Sequence, residues 1–310
     1  MSTGLNNSEL PKVVVLLAAH NGMRWMEEQV TSILNQEGVA VSLVVSVDLS
    51  NDGSEAWFAQ LAQQDQRIHV LPQGVREGGA AGNFFRLIAA NPEADFEHVA
   101  FADQDDIWLP EKLHHAVDTI KRKGVDAYSS NVLAVWEDGR KHLVEKSQPQ
   151  RQWDFLFEAA GPGCTYVFSP AFYKALRHFV LSHGNELKAV HLHDWFCYAF
   201  ARSKGFSWFI DPEAKMFYRQ HDLNHVGVNT GIKAVIARCK NISNGWWLGQ
   251  ARILARVLGM QDDAFVRPWI NPGKRSGYVH LFINIFRCRR KTIDALFMGA
   301  IMLVMWVLNP

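Results

Sequence analysis

The feature that most limits the fold of this chain is a repeated pairing of an apolar run with a segment of helical periodicity. Residues 13–19 (VVVLLAA) form a continuous apolar run, which is typical of a strand buried on both faces. The next segment, MRWMEEQVTSILNQEG, has apolar residues at helical spacing and ends at Gly38. Three further strand–helix pairs follow: VAVSLVVSV with EAWFAQLAQQ, RIHV with GGAAGNFFRLIAA, and HVAFA with LPEKLHHAVDTIKRKG. This alternation predicts an α/β fold with a mostly parallel sheet flanked by helices.

From about residue 125 the pattern loosens, although 310 residues are enough for one large domain or two small ones. We expect a further strand in AYSSNVLAVW, a strand and a helix in GPGCTYVFSPAFYKAL, a helix in HDWFCYAFARSKG and two strands in FSWFIDPEAKMFYRQH. After Gly231 come three apolar segments rich in basic residues. The sequence therefore predicts an α/β domain over residues 1–230 and a helical extension over residues 231–310.

Positive charge is concentrated near the C-terminus. Residues 231–291 contain twelve Lys/Arg and two Asp, a net charge of +10, and Asp294 is the one charged residue after them. Because the whole chain carries +1, residues 1–230 carry −8. A basic end on an acidic body indicates that the end faces an anionic partner.

The cysteines and the N-terminal residues both favour a reducing compartment. The four cysteines form no C-x-x-C pair, and MSTGLNNSELPK has neither the basic flank nor the apolar core of a signal peptide. We therefore expect free thiols and a cytoplasmic location. Buried cysteines that serve as small apolar side chains fit the same pattern.

Three carboxylates stand within four positions in VAFADQDDIWLPEKL, between a predicted strand and a predicted helix. Asp103, Asp105 and Asp106 repel one another, so a compensating charge is expected. Carboxylate oxygens suit Mg²⁺ or Mn²⁺, and such an ion would offset the repulsion. The alternative is a solvated loop in which one Asp caps the helix whose first turn contains Pro110. Capping needs only one acid, so it does not explain why three are present. Of the three, Asp106 is the one that we assign to the helix start.

Other polar clusters also follow predicted strands, where ligands bind in parallel sheets. The turn DLSNDG and the segment YRQH, residues 218–221, are equally compatible with ordinary surface loops. Asp194 lies among large apolar residues in HLHDWF, a setting that raises a carboxyl pKa and suits a general base. His191 and His193 resemble zinc ligands, but residues two apart do not share a helix face, so a zinc site is disfavoured.

Taken together, five segments resemble the glycosyltransferase family 2 enzymes, which have the GT-A fold with a Rossmann-like sheet. Within that family they are most similar to bacterial rhamnosyltransferases and O-antigen transferases. The segments lie within residues 12–230, in the family's order: LLAAHNGMRWMEEQVTSILNQ, VSVDLSNDGS, GGAAGNFFRL, FADQDDIWLPEKL, and HDWF with YRQHDLNHVG.

The resemblance implies roles for particular residues. Asp194 corresponds to the catalytic base, and Asp105, Asp103 and His221 correspond to metal ligands, with Asp105 the more direct one. The positions that correspond to the nucleotide site are Ala18, His20, Asn21, Asp48, Asn83, Asp103, Arg219 and Gln220. The chain departs from the family at Val47, where many members have another Asp, and at residues 18–19, where Pro-Thr or Ser-Thr is more usual. Both departures bear on nucleotide recognition.

The implied activity is inverting transfer of a sugar from a nucleotide-sugar donor to a saccharide or lipid-linked acceptor in cell-surface polysaccharide synthesis, with Mg²⁺ or Mn²⁺ as cofactor. The resemblance alone favours dTDP-rhamnose as the donor, and UDP- and GDP-sugars are alternatives. Two other functions stay open. A sugar nucleotidyltransferase would need a glycine-rich triphosphate loop, which AAHNGMRW matches poorly, and a non-catalytic nucleotide-sugar-binding module would not need the metal acids and the base.

The C-terminal segments indicate a membrane partner. WWLGQARILARVLG and YVHLFINIFR mix apolar residues with arginine, and the charge-free run over residues 295–310 is shorter than the span of about 20 residues that a bilayer needs. We expect amphipathic helices on the inner face of the cell membrane. A helical subdomain packed on the body, or a homodimer interface, is the alternative. No nucleic-acid partner is expected.

Overall fold

Two β-sheets and the helices packed against them make up the described part of the protein. The computed structural model describes residues 10–72, 77–91, 96–221 and 245–308. Its strands, in chain order, are β1 (Lys12–Ala19), β2 (Ala40–Val47), β3 (Ile68–Val70), β4 (His98–Ala102), β5 (Ile107–Trp108), β6 (Ala127–Ser130), β7 (Val132–Trp136), β8 (Lys141–Val144), β9 (Val167–Phe168), β10 (Trp208–Asp211) and β11 (Met216–Gln220). Its α-helices are α1 (Met23–Leu34), α2 (Ser54–Gln64), α3 (Ala80–Ala90), α4 (Lys112–Lys123), α5 (Pro170–Ser182), α6 (Gly184–Leu187), α7 (His193–Ser203), α8 (Trp246–Val257), α9 (Arg275–Ile283), α10 (Ile285–Cys288) and α11 (Thr292–Leu308).

The larger sheet has seven strands in the order β10-β6-β9-β4-β1-β2-β3. Its neighbouring strands are parallel except at β9, which is antiparallel to both β4 and β6. The predicted α/β class with a mostly parallel sheet is therefore confirmed. In such a sheet, ligands bind beyond the carboxyl ends of the strands.

The central strand β1 shows why its sequence is apolar at nearly every position. Leu16 belongs to one hydrophobic cluster, together with Phe84 from α3 and Phe101 from β4. Its neighbours Val15 and Leu17 belong to a second cluster, which side chains from α1 and α4 complete. Because alternate residues of a strand point to opposite faces, both faces of β1 are buried.

A second sheet has four strands in the order β5-β11-β7-β8. The prediction of one strand over AYSSNVLAVW is wrong, because β6 belongs to the larger sheet and β7 to the smaller one. Asn131, which lies between them, is buried. Its side chain accepts from the Lys146 amide at 2.6 Å and donates to the Pro212 carbonyl at 2.9 Å. These bonds fix the point at which the chain leaves one sheet for the other.

Residues 245–308 share a hydrophobic core with the α/β body. Helices α8, α9 and α11 each contribute buried side chains to the cluster that contains Leu16, among them Leu248, Leu281 and Met298. The first apolar segment of the predicted extension, residues 231–240, lies outside the described residues. No helix in the described ranges is both long and apolar enough to cross a membrane.

A buried ion cluster joins this extension to the body. Arg290 Nη1 lies 3.1 Å from Asp154 Oδ2, and Arg202 Nη1 lies 3.2 Å from Asp154 Oδ1. The Tyr198 hydroxyl donates to Asp154 Oδ2 at 2.9 Å, and Arg290 also lies 3.5 Å from Glu158. Because Arg202 and Tyr198 belong to α7, the carboxylate of Asp154 connects the C-terminal extension with that helix.

Replacing Arg290 by methionine is expected to lower the free energy of unfolding by about 3 kcal/mol, because Asp154 stays buried while it loses one of its cations. Urea denaturation followed by circular dichroism measures the change. Arg267→Met is the matched control, since Arg267 is exposed and a change of less than about 0.5 kcal/mol is expected there. Equal effects of the two substitutions would show that the ion cluster contributes nothing to stability.

Candidate active site

Three loops meet at the carboxyl edge of the larger sheet. β1 and β2 end in register with each other, at Ala19 and Val47. β4 pairs with the other side of β1 and ends at Ala102. The loops that follow these strands therefore start side by side. They hold three of the predicted polar clusters: residues 20–21, 48–52 and 103–106.

The neighbouring carboxylates form two adjoining groups. Asp105 Oδ2 lies 2.8 Å from Nε2 of His221. Asp103 and Asp106 lie beside the thiol of Cys164, with their ligand atoms within 4.8 Å of one another. The structure therefore pairs Asp105 with His221, two of the residues to which the sequence resemblance assigns the metal, and places Asp103 in the adjoining group.

Burial and mutual repulsion perturb the acids of this loop. Burial is the largest cause of the shifts, and the charge of Asp105 is the second. Together they raise the pKa of Asp103 to about 7 and the pKa of Asp106 well above its ordinary range. Burial also raises the pKa of the Cys164 thiol well above its usual value, so the sulfur stays protonated at neutral pH. Lys112 lies near Asp106, but burial lowers the pKa of Lys112 to about 7. This ammonium group therefore compensates the acids only in part.

The donor set of the acidic loop fits a hard divalent cation. Mg²⁺ and Mn²⁺ prefer carboxylate oxygens, which Asp103 and Asp105 supply, and Mn²⁺ also accepts an imidazole nitrogen such as that of His221. The buried oxygens of Asp106 meet no donor at bonding geometry in the described chain, although the Arg219 amide lies near them. An ion at this edge would offset the repulsion between the carboxylates.

The assignment of Asp106 to the start of the following helix is wrong. β5 comes between them, and α4 begins at Lys112 without a side-chain hydrogen bond from its N-cap residue. Gln36 takes the capping role instead, because its Oε1 accepts from the Leu113 amide at 2.9 Å. Pro110 precedes the helix and does not lie in its first turn.

The loop after β2 is fixed by hydrogen bonds to the loop after β1. The Asn21 amide donates to Ser50 Oγ at 3.0 Å, and the Asn51 amide donates to Asn21 Oδ1 at 2.9 Å. Asn21 has φ 49°, a left-handed conformation that asparagine tolerates better than most residues. Asp48 Oδ1 accepts from the following amide at 2.8 Å and from the Glu77 amide at 3.0 Å. The loop that contains Asp48 is therefore preformed.

Sequence reasoning missed Gln104, which joins the loop after β1 to the acidic loop. Gln104 Oε1 accepts from the His20 amide at 2.6 Å, and its Nε2 donates to the His20 carbonyl at 2.9 Å. A Cβ at Gly22 would collide with the Gln104 side chain, so glycine leaves room for this pair of bonds. A neutral residue between two aspartates gives no charge signal, so its role was not visible in the sequence.

Several of the residues predicted to bind the nucleotide form hydrogen bonds to the backbone of the site. Asn83 is 2% exposed and donates to carbonyls at the ends of β1 and β2, at 3.3 and 3.0 Å. Arg219 Nε donates to the Asp105 carbonyl at 2.9 Å. Gln220 is buried, and its side-chain Nε2 donates to the Arg219 carbonyl at 3.0 Å. Ala18 is half-buried within β1. These contacts position the loops that would surround a nucleotide.

Asp194 lies in the first turn of α7, where its Oδ1 accepts from the Trp195 amide at 2.7 Å. Burial is the largest influence on this carboxyl group and raises the pKa of Asp194 to about 6. The site is shared with the acidic loop, because the charge of Asp194 contributes to the raised pKa of Asp103. A carboxylate with such a pKa is suited to accepting a proton near neutral pH.

The two histidines that flank this helix start have separate structural roles. His193 is buried and stacks on Phe84 with ring centroids 3.8 Å apart, and burial lowers the pKa of His193 to about 3. His191 Nδ1 accepts from Trp246 Nε1 at 3.2 Å. Each histidine therefore has an aromatic partner elsewhere in the fold.

A glycine turn forms a wall beside Asp194. A Cβ at Gly163 would lie 3.3 Å from the Asp194 Cβ, so the turn packs directly against the start of α7. Gly161 has φ 144°, which favours glycine. The Tyr166 hydroxyl lies 3.1 Å from the Gly161 carbonyl oxygen and 3.2 Å from that of Asp194. The Gly-Pro-Gly sequence was the available signal for this wall.

The fold is that of the GT-A glycosyltransferases. The structure of S. aureus TarS 1-349 in complex with UDP-GlcNAc has a TM-score of 0.54 and 14% identity, with 95% of this chain and 89% of that chain covered. The mannosyltransferase PcManGT from Pyrobaculum calidifontis, in complex with GDP-Man and Mn²⁺, has a TM-score of 0.53 and 16% identity, with 98% and 88% covered. At these identities the likeness establishes the fold.

The family follows from the sequence comparisons. Residues 14–181, more than half of the chain, match glycosyl transferase family 2. The chain is also 38% identical over 298 residues to the dTDP-rhamnosyl transferase RfbG of Shigella flexneri, an alignment that covers 94% of this chain and 99% of RfbG. The protein belongs to glycosyl transferase family 2, and the predicted family is therefore confirmed.

Proposed function

We propose that this glycosyltransferase inverts the anomeric centre of the sugar that it transfers and that Asp194 is its general base. The observation that most supports this assignment is a buried carboxylate with a pKa of about 6 beside the acidic loop. Among the acids of the site, Asp194 stands on a separate element, α7, and not on the loop suited to a cation. The acid that accepts a proton is therefore distinct from the acids that would hold a metal.

The reaction starts at an acceptor hydroxyl placed beside Asp194. The ionised carboxylate takes the hydroxyl proton while the oxygen bonds to the anomeric carbon. The bond from that carbon to the donor phosphate breaks, and its electron pair leaves with the nucleoside diphosphate. Because the oxygen attacks the face opposite the leaving group, the configuration inverts through an oxocarbenium-like state, as in inverting glycosidases. The wall at residues 161–163 keeps the base in place.

Negative charge grows on the departing diphosphate, next to carboxylates that already repel one another. Asp105, Asp103 and His221 are the residues that would hold Mg²⁺ or Mn²⁺. Such an ion, when bound, supplies electrostatic stabilisation of the leaving phosphate. Arg219 holds the acidic loop by donating to the Asp105 carbonyl. The Nη2 atom of Arg219 lies 2.5 Å from the carboxylate of Glu28, which fixes the guanidinium group in turn. These contacts keep the metal-binding loop in one conformation.

The donor is proposed to be dTDP-rhamnose. This proposal rests on RfbG, named as a dTDP-rhamnosyl transferase, which matches the chain over nearly its whole length. UDP- and GDP-sugars are the controls in a donor screen, because the two structural neighbours contain UDP-GlcNAc and GDP-Man. Release of nucleoside diphosphate from dTDP-rhamnose supports a transferase. Release of pyrophosphate from a nucleoside triphosphate would instead identify a nucleotidyltransferase.

The acceptor is proposed to be a saccharide on a lipid carrier, at the inner face of the cell membrane, in cell-surface polysaccharide synthesis. Twelve of the fifteen exposed large apolar side chains in the described chain lie between Val279 and Leu308. On α11 the buried side is a narrow stripe that includes Ala295 and Met302, whereas Ile293 and Val304 are exposed. We call these exposed side chains of α9, α10 and α11 the apolar face. A concentration of exposed apolar side chains on one side of a protein is typical of an interaction site.

Two features of the apolar face favour a lipid surface as its partner. A cleft of about 200 Å³ between α9 and α11 is lined by apolar and aromatic side chains: Tyr278, Val279, Phe282, Met302, Leu303 and Trp306. Arg275 lies 5.6 Å from the centre of the Trp306 ring, and this pair of residue types is common where protein meets lipid headgroups. A helix of this kind would lie in the plane of the membrane surface.

Asp194→Asn is expected to lower kcat by about 10²–10⁴-fold and to leave donor binding unchanged, because the amide does not accept the proton. In the wild type, kcat should fall as the pH drops through about 6, since protonation of Asp194 removes the base. The residual kcat of the Asp194→Asn variant should not show this fall at acidic pH. Steady-state assays from pH 5 to 9 measure both effects, with the exposed Asp262→Asn as control. Near-normal turnover of Asp194→Asn would contradict the base assignment.

Asp105→Ala is expected to weaken the binding of nucleoside diphosphate in the presence of Mn²⁺ by at least about tenfold, because a direct metal ligand is lost. Calorimetric titration of dTDP with and without Mn²⁺ measures this change, and chelation of the metal should abolish transfer. Asp118→Ala, on the exposed side of α4, is the matched control. An unchanged titration of the Asp105 variant would show that the metal lies elsewhere.

Val304→Glu is expected to reduce binding to vesicles that contain phosphatidylglycerol by about tenfold or more, because a charge replaces an apolar contact in the membrane interface. Flotation with the full chain measures binding. Leu181→Glu is the matched control, since Val304 and Leu181 are each 54% exposed and Leu181 lies on α5. If vesicle binding is unchanged but light scattering shows a dimer that Val304→Glu dissociates, the face is a homodimer interface and the membrane proposal is wrong.

A further inference from the structure

Two lysines, Lys146 and Lys291, lie on the C-terminal side of the site. Lys146 and Lys291 are each half-buried, and neither ammonium group forms an ion pair there. The arginines around them use the available carboxylates, in pairs at 3.1 to 3.9 Å: Arg202–Asp154, Arg290–Asp154, Arg290–Glu158, Arg289–Glu158 and Arg289–Asp294. Glu158, whose charge also acts on Lys146, is thus already shared by Arg289 and Arg290.

Lys146 lies on the wall beside the proposed base. A Cβ at Gly161 would lie 3.7 Å from Cβ and Cγ of Lys146, so the lysine stem packs along the glycine turn. The backbone amide of Lys146 is held by Asn131 at 2.6 Å. The Tyr166 hydroxyl, between the carbonyl oxygens of Gly161 and Asp194, connects this turn with the base. The position of Lys146 is therefore set by the same wall that positions Asp194.

Lys291 approaches the same wall from the C-terminal extension. The two residues before it are fixed to the segment that leads into the glycine turn. Arg289 Nη1 donates to the Phe157 carbonyl at 2.8 Å, and Arg290 Nη2 donates to the Ala159 carbonyl at 2.6 Å. The Lys291 carbonyl accepts from the Ala295 amide at 3.0 Å in the first turn of α11. Lys291 thus lies between the wall and the apolar face.

A charge interaction connects the proposed base with Lys146. The charge of Lys146 lowers the pKa of Asp194 against the larger, raising effect of burial. Burial lowers the pKa of Lys146. The charge of Glu158 acts against this, and the positive charges of Arg290, Arg289 and Lys291 add to the lowering. The charge of Asp194 also raises the pKa of Asp103, in the acidic loop. The carboxyl group of Asp194 therefore interacts with the acidic loop through Asp103 and with a basic patch through Lys146.

We propose that Lys146 and Lys291 bind a phosphate group of the acceptor and thereby place the attached sugar with a hydroxyl at Asp194. This inference rests on the proposed function, because it assumes that Asp194 receives the acceptor proton. Ammonium groups bind phosphate as point charges without a fixed orientation. The α11 part of the apolar face begins two residues after Lys291, at Ile293, and an apolar carrier attached to the phosphate would continue there. A phospholipid headgroup offers the same chemistry, and the experiments below separate the two sources.

The first experiment measures phosphate binding without any transfer reaction. The full-length enzyme, saturated with dTDP and Mn²⁺ so that the donor site is filled, is titrated calorimetrically with inorganic phosphate. Wild type is expected to bind one phosphate, and Lys146→Met and Lys291→Met, which keep the apolar stem, are each expected to weaken binding by about tenfold. Lys274→Met, an exposed lysine of the same extension, is the control and should bind like wild type. Absence of phosphate binding, or equal binding by all variants, would overturn the proposal.

The second experiment identifies the source of the phosphate. A sugar acceptor is offered both as its 1-phosphate and as its neutral methyl glycoside, without vesicles. Wild type is expected to prefer the 1-phosphate in kcat/KM by about tenfold, and Lys291→Met should reduce this ratio towards one, whereas Lys291→Arg should retain it. Transfer to both acceptors at equal kcat/KM, with phosphate binding displaced by phosphatidylglycerol vesicles, would assign the lysines to a lipid headgroup and overturn the acceptor proposal. Failure of Asp194→Asn to impair transfer would instead refute the proposed base while phosphate binding stayed measurable.

Discussion

Mutual repulsion among carboxylates at one edge of the larger sheet is the constraint on which the rest of the structure depends. Asp103, Asp105 and Asp106 follow β4. The charge of Asp194, on α7, also raises the pKa of Asp103. Such a concentration of acids is tolerated because the parallel strands beneath it are buried on both faces and fix the loops rigidly. Gln104 then holds the acidic loop to the end of β1. The remaining charge explains why a divalent cation fits this edge.

The C-terminal extension is part of the same architecture. Its helices add to the core beneath β1, and its Arg290 meets Asp154, which α7 also contacts through Arg202 and Tyr198. The helix that carries the proposed base is therefore supported by Arg290, which comes more than eighty positions after the end of that helix. This explains how one extension can combine an inner side packed on the body with an outer apolar face. Removal of the whole extension would expose core residues, so point substitutions are the sharper test of that face.

Much of the fold could be predicted because it depends on local periodicity. The continuous apolar run in β1 and the helical spacing in α1 each reported burial directly. Short elements escaped for the opposite reason. β5 has two residues, and the break between β6 and β7 depends on the buried side chain of Asn131. In the site, acids such as Asp105 were recognisable by charge and spacing. Gln104 gave no such signal, and the signal for the glycine wall was the Gly-Pro-Gly sequence alone.

The sequence by itself determined the α/β class, the family, and the acids from which the site is built, because apolar periodicity and clustered charge are local properties of the chain. Only the tertiary structure decided how those acids divide, with Asp105 beside His221, and Asp106 buried beside Cys164 instead of capping a helix. It also decided that Arg289 and Arg290 turn inward to bind the body while Lys291 stays unpaired in the described chain. The reason is physical: partners of a charge come from distant segments, and burial, which sets its pKa, depends on the packing of all of them.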